Sequence, residues 1–143
     1  MQTFKHPFGE GHLICDIALG RIDSKEILFV GLKDETLRAF SIGENGLTQL
    51  ACLGIHFVPK RLLWLQGHEL LLNIRSNETI KKNTPSQIEA YEFSTTANCI
   101  RSRGVALSFS RGINISGICL INSRAFRIFD ASKNKLLECS VLV

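Results

Sequence analysis

The sequence lacks most of the features that announce chemistry. It has five cysteines, Cys15, Cys52, Cys99, Cys119 and Cys139, but no C-x-x-C pair among them. Zinc needs closely spaced thiolates or imidazoles, so no metal site is expected. An odd cysteine count without a framework also argues against a disulfide-built domain and for a reducing compartment. The histidines His6, His12, His56 and His68 show no H-x-x-x-H or H-E-x-x-H spacing. There is no G-x-S-x-G elbow to expose a nucleophile and no glycine-rich phosphate loop. These absences leave no catalytic residue and no cofactor to expect. No apolar run approaches the roughly 20 residues a membrane helix needs. The opening residues Met1 to Pro7 lack the continuous apolar stretch of a signal peptide, and the acceptor patterns at Asn77 and Asn114 are chance matches without a secretory route.

What is present is enough for a globular core. The chain has 143 residues, of which 45% are hydrophobic and 21% charged, with a formal net charge of +4. That apolar fraction offsets chain entropy, so the chain is expected to be folded. The mild basic excess admits a nucleic-acid surface but is explained by a solvated face, the reading the charge alone favours. Most of the cysteines sit inside apolar runs, where a thiol serves as a small buried hydrophobe. Trp64, after Leu62 and Leu63, reads as a core residue.

The organising feature is self-similarity. Asp34-Glu35-Thr36-Leu37 matches Asn77-Glu78-Thr79-Ile80 at an offset of 43. Arg38-Ala39-Phe40 matches Arg124-Ala125-Phe126 at 86, and Gly31 and Gly117 share that register. A period of 40 to 45 residues with four strands per unit is the signature of propeller blades, while helical repeats of similar length require a 3.6 periodicity that is missing here. Ile27 to Leu32 is an apolar β-prone run, Lys33-Asp34-Glu35 a polar turn, and Thr36 to Ile42 a broadly alternating strand. Gly43-Glu44-Asn45-Gly46 is a further turn.

These signals place strands near 12–20, 27–32, 36–42 and 47–55 in a first blade. A second blade has strands near 61–66, 69–74, 87–93 and 99–107, with Gly67-His68 as a tight connection and an enlarged polar loop from Asn77 to Ser86. A third has strands near 113–121, 124–129 and 136–142, its opening strand assigned to Ala106 to Ser110. The expected fold is all-β: about three WD40-like four-stranded antiparallel blades in one segment, 1–143, divided near 12–55, 61–107 and 108–143. Characterised propellers use about four to eight blades, so this segment does not close a ring alone. The expectation is a fragment, a truncated paralogue, or part of a ring completed by another polypeptide.

The paired acids Asp34 and Glu35 fall in the repeated turn, where turn chemistry explains them better than acid–base catalysis. The basic residues are the one candidate for function. Arg101, Arg103 and Arg111 cluster near the entry to the third blade, and Lys81 with Lys82 lies in the enlarged loop. They could contact a protein partner or nucleic acid, or guard an exposed sheet edge.

The stretch Val30-Gly31-Leu32-Lys33-Asp34-Glu35-Thr36-Leu37-Arg38-Ala39-Phe40-Ser41-Ile42 resembles V-G-L-x-D-x-T-x-R-x-x-S-L in a family of giant three-propeller scaffolds. That family comprises the large propeller subunit of splicing factor 3b, its homologue in the cleavage and polyadenylation complex, and the large subunit of damaged-DNA-binding protein. Leu13-Ile14-Cys15-Asp16-Ile17 is similar to its V-A-C-x-x-I strand. Leu47 to Leu50 and Pro59 to Leu63 are similar to L-x-x-L and P-x-S-L. Leu70 to Ile74 resembles a segment that in the family runs into G-x-x-N/D-G, which Arg75-Ser76-Asn77-Glu78 replaces here. The resemblance is fullest over residues 12–65 and its wording is nearest to the splicing subunit. It implies a non-catalytic scaffold in a multisubunit RNA-processing complex, in the nucleus, with the cytoplasm as the alternative. An adaptor of a ubiquitin ligase is the other role the resemblance implies. Direct RNA or DNA binding is an alternative that rests on the arginines.

Overall fold

The structure is a computed structural model and describes residues 13–75, 87–109 and 115–140. Among these it is all-β, with eleven strands in three antiparallel sheets and no helix. The first sheet is a meander of β1 (Ile14–Ile22), β2 (Lys25–Leu32), β3 (Thr36–Gly43) and β4 (Gly46–Gly54). The second repeats it with β5 (Arg61–Leu65), β6 (Leu70–Arg75), β7 (Gln87–Ser94) and β8 (Cys99–Ser108). The third holds β9 (Ile115–Asn122), β10 (Ala125–Asp130) and β11 (Lys135–Ser140). None closes into a barrel. The leading strands β1, β5 and β9 stand beside one another in chain order, and β4 meets β8. This is the arrangement of part of a propeller.

Hairpin chemistry explains why the boundaries fall where they do. Gly43 pairs with Gly46 across a two-residue turn, and Gly46 adopts φ +124°, which a side chain would oppose. Between β5 and β6 the turn closes with His68 N–H donating to Leu65 O at 3.2 Å, and Gly67 takes φ +94°. Between β2 and β3, Glu35 N–H donates to Leu32 O at 3.2 Å while Glu35 itself sits at φ +66°. The acidic pair is therefore a turn, as its repetition suggested.

Burial follows the alternation of each strand. Ile27, Phe29, Leu37 and Ala39 from the first sheet meet Leu62, Trp64, Leu71, Tyr91 and Phe93 from the second. The opposite face of the second sheet, with Leu65, Leu72, Ile74, Ile88 and Ala90, meets Ile115, Phe126 and Ile128 of the third. The middle sheet is thus sandwiched, and its leading strands β5 and β6 read as nearly continuous apolar runs because both their faces are covered, while β8 is largely exposed. Phe29 stacks on Trp64 with centroids 5.2 Å apart, and Phe93 meets Phe29 edge-on at 6.0 Å. Trp64 is 6% exposed, a core residue as expected.

The structure corrects three expectations. Ala106 to Ser108 are not the opening strand of a third blade; they finish β8, whose pairing with β7 continues through Leu107 and Ser108. The third sheet accordingly has three strands among the described residues. The 86-residue match is also not a match of equivalent positions, since it lays Phe40 of β3, a third strand, on Phe126 of β10, a second strand. Shifting Ile14 by 86 lands on Ile100 inside β8, whereas β9 opens at Ile115. The long connection from Arg75 to Gln87 lengthens the middle unit and breaks the even rhythm. Finally, no cysteine is fully buried: Cys52 and Cys119 are exposed, and Cys15, Cys99 and Cys139 are half-buried. Alternation sends Cys52 and Cys119 to the partly open outer faces of the two outer sheets, opposite Arg38 and Arg127, while Cys139 packs at the edge of the inner core. Partial burial still pushes the Cys15 and Cys139 thiols above their ordinary range. At Cys15 the Lys33 ammonium opposes the shift, while Asp16 and Asp34 add to it.

Candidate interaction surface

The basic residues picked out by sequence lie on the outermost strand of the second sheet or outside the described residues. Lys81, Lys82 and Arg111 belong to the latter. Arg101 and Arg103 are both exposed on β8. Arg101 stands directly opposite Glu92 of β7. Arg103 has no partner in the register, which steps from Ser102 opposite Tyr91 to Gly104 opposite Ala90. A β-bulge at this point, completed by Gly104 at φ +86°, throws the Arg103 side chain outward. Its guanidinium pairs with Glu92 at 3.6 Å, with both groups exposed, an interaction worth little in water. Bulges and arginines together keep a long edge strand from pairing with a foreign strand. The same arginines remain available to an acidic or phosphate-bearing partner.

The residues of the repeated turn form a better-ordered polar node. Arg38 on β3 donates through Nη2 to Asp34 Oδ2 at 2.9 Å, through Nε to Thr36 at 3.2 Å and through Nη1 to Gln49 at 3.2 Å. The Thr36 hydroxyl donates to the other oxygen of Asp34. The D-x-T-x-R spacing is thereby explained: alternation along the extended chain puts Thr36 and Arg38 on one face, and the turn aims Asp34 at both. The node ties β3 to β4 and to the preceding turn, which is a structural role.

Two surfaces went unread in the sequence. The first is the face of the first sheet turned away from the second. Val30, Leu32 and Phe40 are buried there, yet Ile17 and Leu19 on β1 are 54% and 55% exposed, beside exposed Leu13 and Ile14. Cross-strand pairing places Ile17 opposite Val30 and Leu19 opposite Leu28, so this is one continuous apolar face with an open margin. The signal was present as the run from Leu13 to Leu19, which alternates too weakly to have a purely solvated side. The corresponding outer face of the third sheet differs. There Phe129 and exposed Leu136 flank the Arg127–Glu138 pair at 3.8 Å. The second surface is an open cleft of about 480 Å³ between the first two sheets, floored by Ile27, Ile42, Leu50 and Phe93 and rimmed by Lys25 and Asn98.

Among the described residues no three His, Cys, Asp or Glu side chains gather as metal ligands. His68 uses Nε2 to meet the Ser123 carbonyl at 2.7 Å, linking the β5–β6 turn to the β9–β10 turn. Arg61 Nε donates to Ser116 O at 3.3 Å, and Gln66 Nε2 donates to Arg21 O at 3.2 Å. These bonds hold neighbouring sheets together along their leading strands. No family model matches the chain, and no curated protein matches it in sequence.

Proposed function

We propose that the chain is a non-catalytic propeller scaffold that holds protein partners in a nuclear pre-mRNA splicing complex, of the kind built on the large propeller subunit of splicing factor 3b. The observation that carries the scaffold reading is the apolar face of the first sheet. Val30, Leu32 and Phe40 are buried on it, while Leu13, Ile14, Ile17 and Leu19 leave an exposed apolar margin. Isolated exposed apolar residues are ordinary, but a continuous apolar face marks an interface. Further blades or a partner subunit cover such a face in a finished ring. The assignment to RNA processing rests on the resemblance of Val30 to Ile42, which here forms β2, the turn and β3 with the Asp34–Thr36–Arg38 node intact. No cofactor and no membrane enter this reading.

Capture from nuclear extract on the tagged chain tests it. Recovery of spliceosomal proteins, reduced at least tenfold by Ile17→Asp with Leu19→Asp, is the expected result. Recovery of cullin-type ligase components would replace the assignment by an adaptor role, and recovery of neither would refute it. The exposed arginines on β8 favour a second reading, direct RNA contact. That reading requires affinity for mixed-sequence RNA to fall steeply with salt and to drop further in Arg101→Glu with Arg103→Glu.

A further inference from the structure

One side chain in the contact between the first and second sheets has no counterpart among its neighbours. Asn73 lies in the middle of β6 and is 0% exposed. Alternation places it with Leu71 on the face turned to the first sheet, while Leu72 and Ile74 face the third. Among the described residues neither its amide nitrogen nor its amide oxygen has a hydrogen-bond partner. Buried amides are almost always bonded, because a dry donor and acceptor forfeit the water they had when unfolded.

The surroundings indicate what satisfies it. Directly opposite Asn73 on β7 is Glu89, also buried and on the same face. Opposed residues on neighbouring antiparallel strands hold their Cβ atoms about 4.5–5.5 Å apart. Tyr91, two residues on, donates its hydroxyl to Glu89 Oε2 at 2.7 Å. On the other side of β6, Asn73 stands opposite Leu62, whose amide donates to Asp16 Oδ2 at 2.8 Å across the gap between the sheets. A polar strip therefore crosses a contact that is otherwise aromatic and aliphatic.

We infer that this strip is an internal hydration site, with at least one water bridging the Asn73 amide to the Glu89 carboxylate. The donor set selects water over other small ligands. A cation would suit Glu89 and the amide oxygen but face the amide N–H groups, and an anion would meet the carboxylate. Water accepts from Asn73 Nδ2 and donates to Glu89, which a carboxylate with several lone-pair directions can receive alongside a tyrosine hydroxyl. Internal waters of this kind make about three hydrogen bonds and are retained as part of the fold. The site accounts for a polar residue inside Leu70-Leu71-Leu72-Asn73-Ile74, where an aliphatic one would otherwise pack.

Water-selected NOE and ROE spectra of the ¹⁵N-labelled chain test this. The side-chain amide protons of Asn73 are expected to show cross-peaks to water with NOE and ROE of opposite sign, the mark of a long-lived internal molecule. Tyr91→Phe removes relay through the hydroxyl and is expected to keep those peaks. Absence of the peaks, equal signs, or their loss in Tyr91→Phe would each overturn the inference. Should that variant fail to fold, a crystal structure of the unaltered chain decides. Solvent density within hydrogen-bonding distance of both Asn73 and Glu89 upholds the site. A direct Asn73–Glu89 bond, or neither contact, refutes it.

Discussion

Trp64→Ala is expected to lower the unfolding free energy by about 3–5 kcal/mol, the usual range for deleting a buried tryptophan from a packed core. Whole domains are stable by only about 5–15 kcal/mol, so this one change consumes a large share of the margin. The reason is position as much as size. Trp64 stands on β5, the strand that leads the second sheet toward the first, and stacks on Phe29 of the first sheet at 5.2 Å. Its indole N–H donates to Gln66 Oε1 at 2.8 Å, and Gln66 reaches on to the Arg21 carbonyl. Removing the ring therefore opens a void between sheets and loosens the cross-sheet hydrogen bond as well. Denaturant titration of the two proteins, at constant slope, measures the difference. A loss under about 1 kcal/mol would mean the sheets do not rely on this contact.

The second large effect is the reverse of a cavity. Gly20→Ala is expected to destabilise by about 1–3 kcal/mol through overpacking. A Cβ at Gly20 would come within 2.7 Å of Trp64 Cδ2 and 2.8 Å of Cε2, distances that require the indole to move. The ring is rigid and wedged against Phe29, so yielding is costly. Backbone conformation is not the issue at Gly20, because its φ lies outside the left-handed region. The effect should therefore depend on the indole. In a Trp64→Ala background, Gly20→Ala is expected to cost close to nothing, giving a coupling of at least 1 kcal/mol in a double-mutant cycle. Additive losses would show that the two residues do not touch.

Most of the architecture was written locally and could be read without coordinates. The first two sheets open and close within about two or three residues of the positions that Gly43-Glu44-Asn45-Gly46, Lys33-Asp34-Glu35 and Gly67-His68 imply. Those turns specify their own conformations. The errors arose where the information is not local. Ala106 to Ser108 have the composition of a new strand, and only their pairing with Gln87 and Ile88 assigns them to β8. Likewise, short matches between Arg38-Ala39-Phe40 and Arg124-Ala125-Phe126 reflect a shared strand pattern and not a shared place in the sheet.

The candidate surfaces were less legible for a related reason. Arg101 and Arg103 were visible as charges, but the bulge that turns Arg103 out and the Glu92 beside both are properties of the ladder. Ile17 and Leu19 look like any strand residues until their exposure beside buried Val30 is seen. The exposure of Cys52 and Cys119 is likewise seen only in the folded sheets. Asn73 was the exception. A lone amide among four apolar neighbours is a sequence-level oddity, and it could have been marked from the sequence as a polar site inside a sheet contact.

The stacking of the first sheet on the second underlies both the fold and the scaffold role, and it can be read from Trp64 in a NOESY spectrum of the folded chain. Packing of β5 against β1 and β2 predicts strong cross-peaks from the indole protons to the α-protons of Gly20 and to the Phe29 ring. An indole whose cross-peaks stay within β5, β6 and β7 would contradict the stacked arrangement.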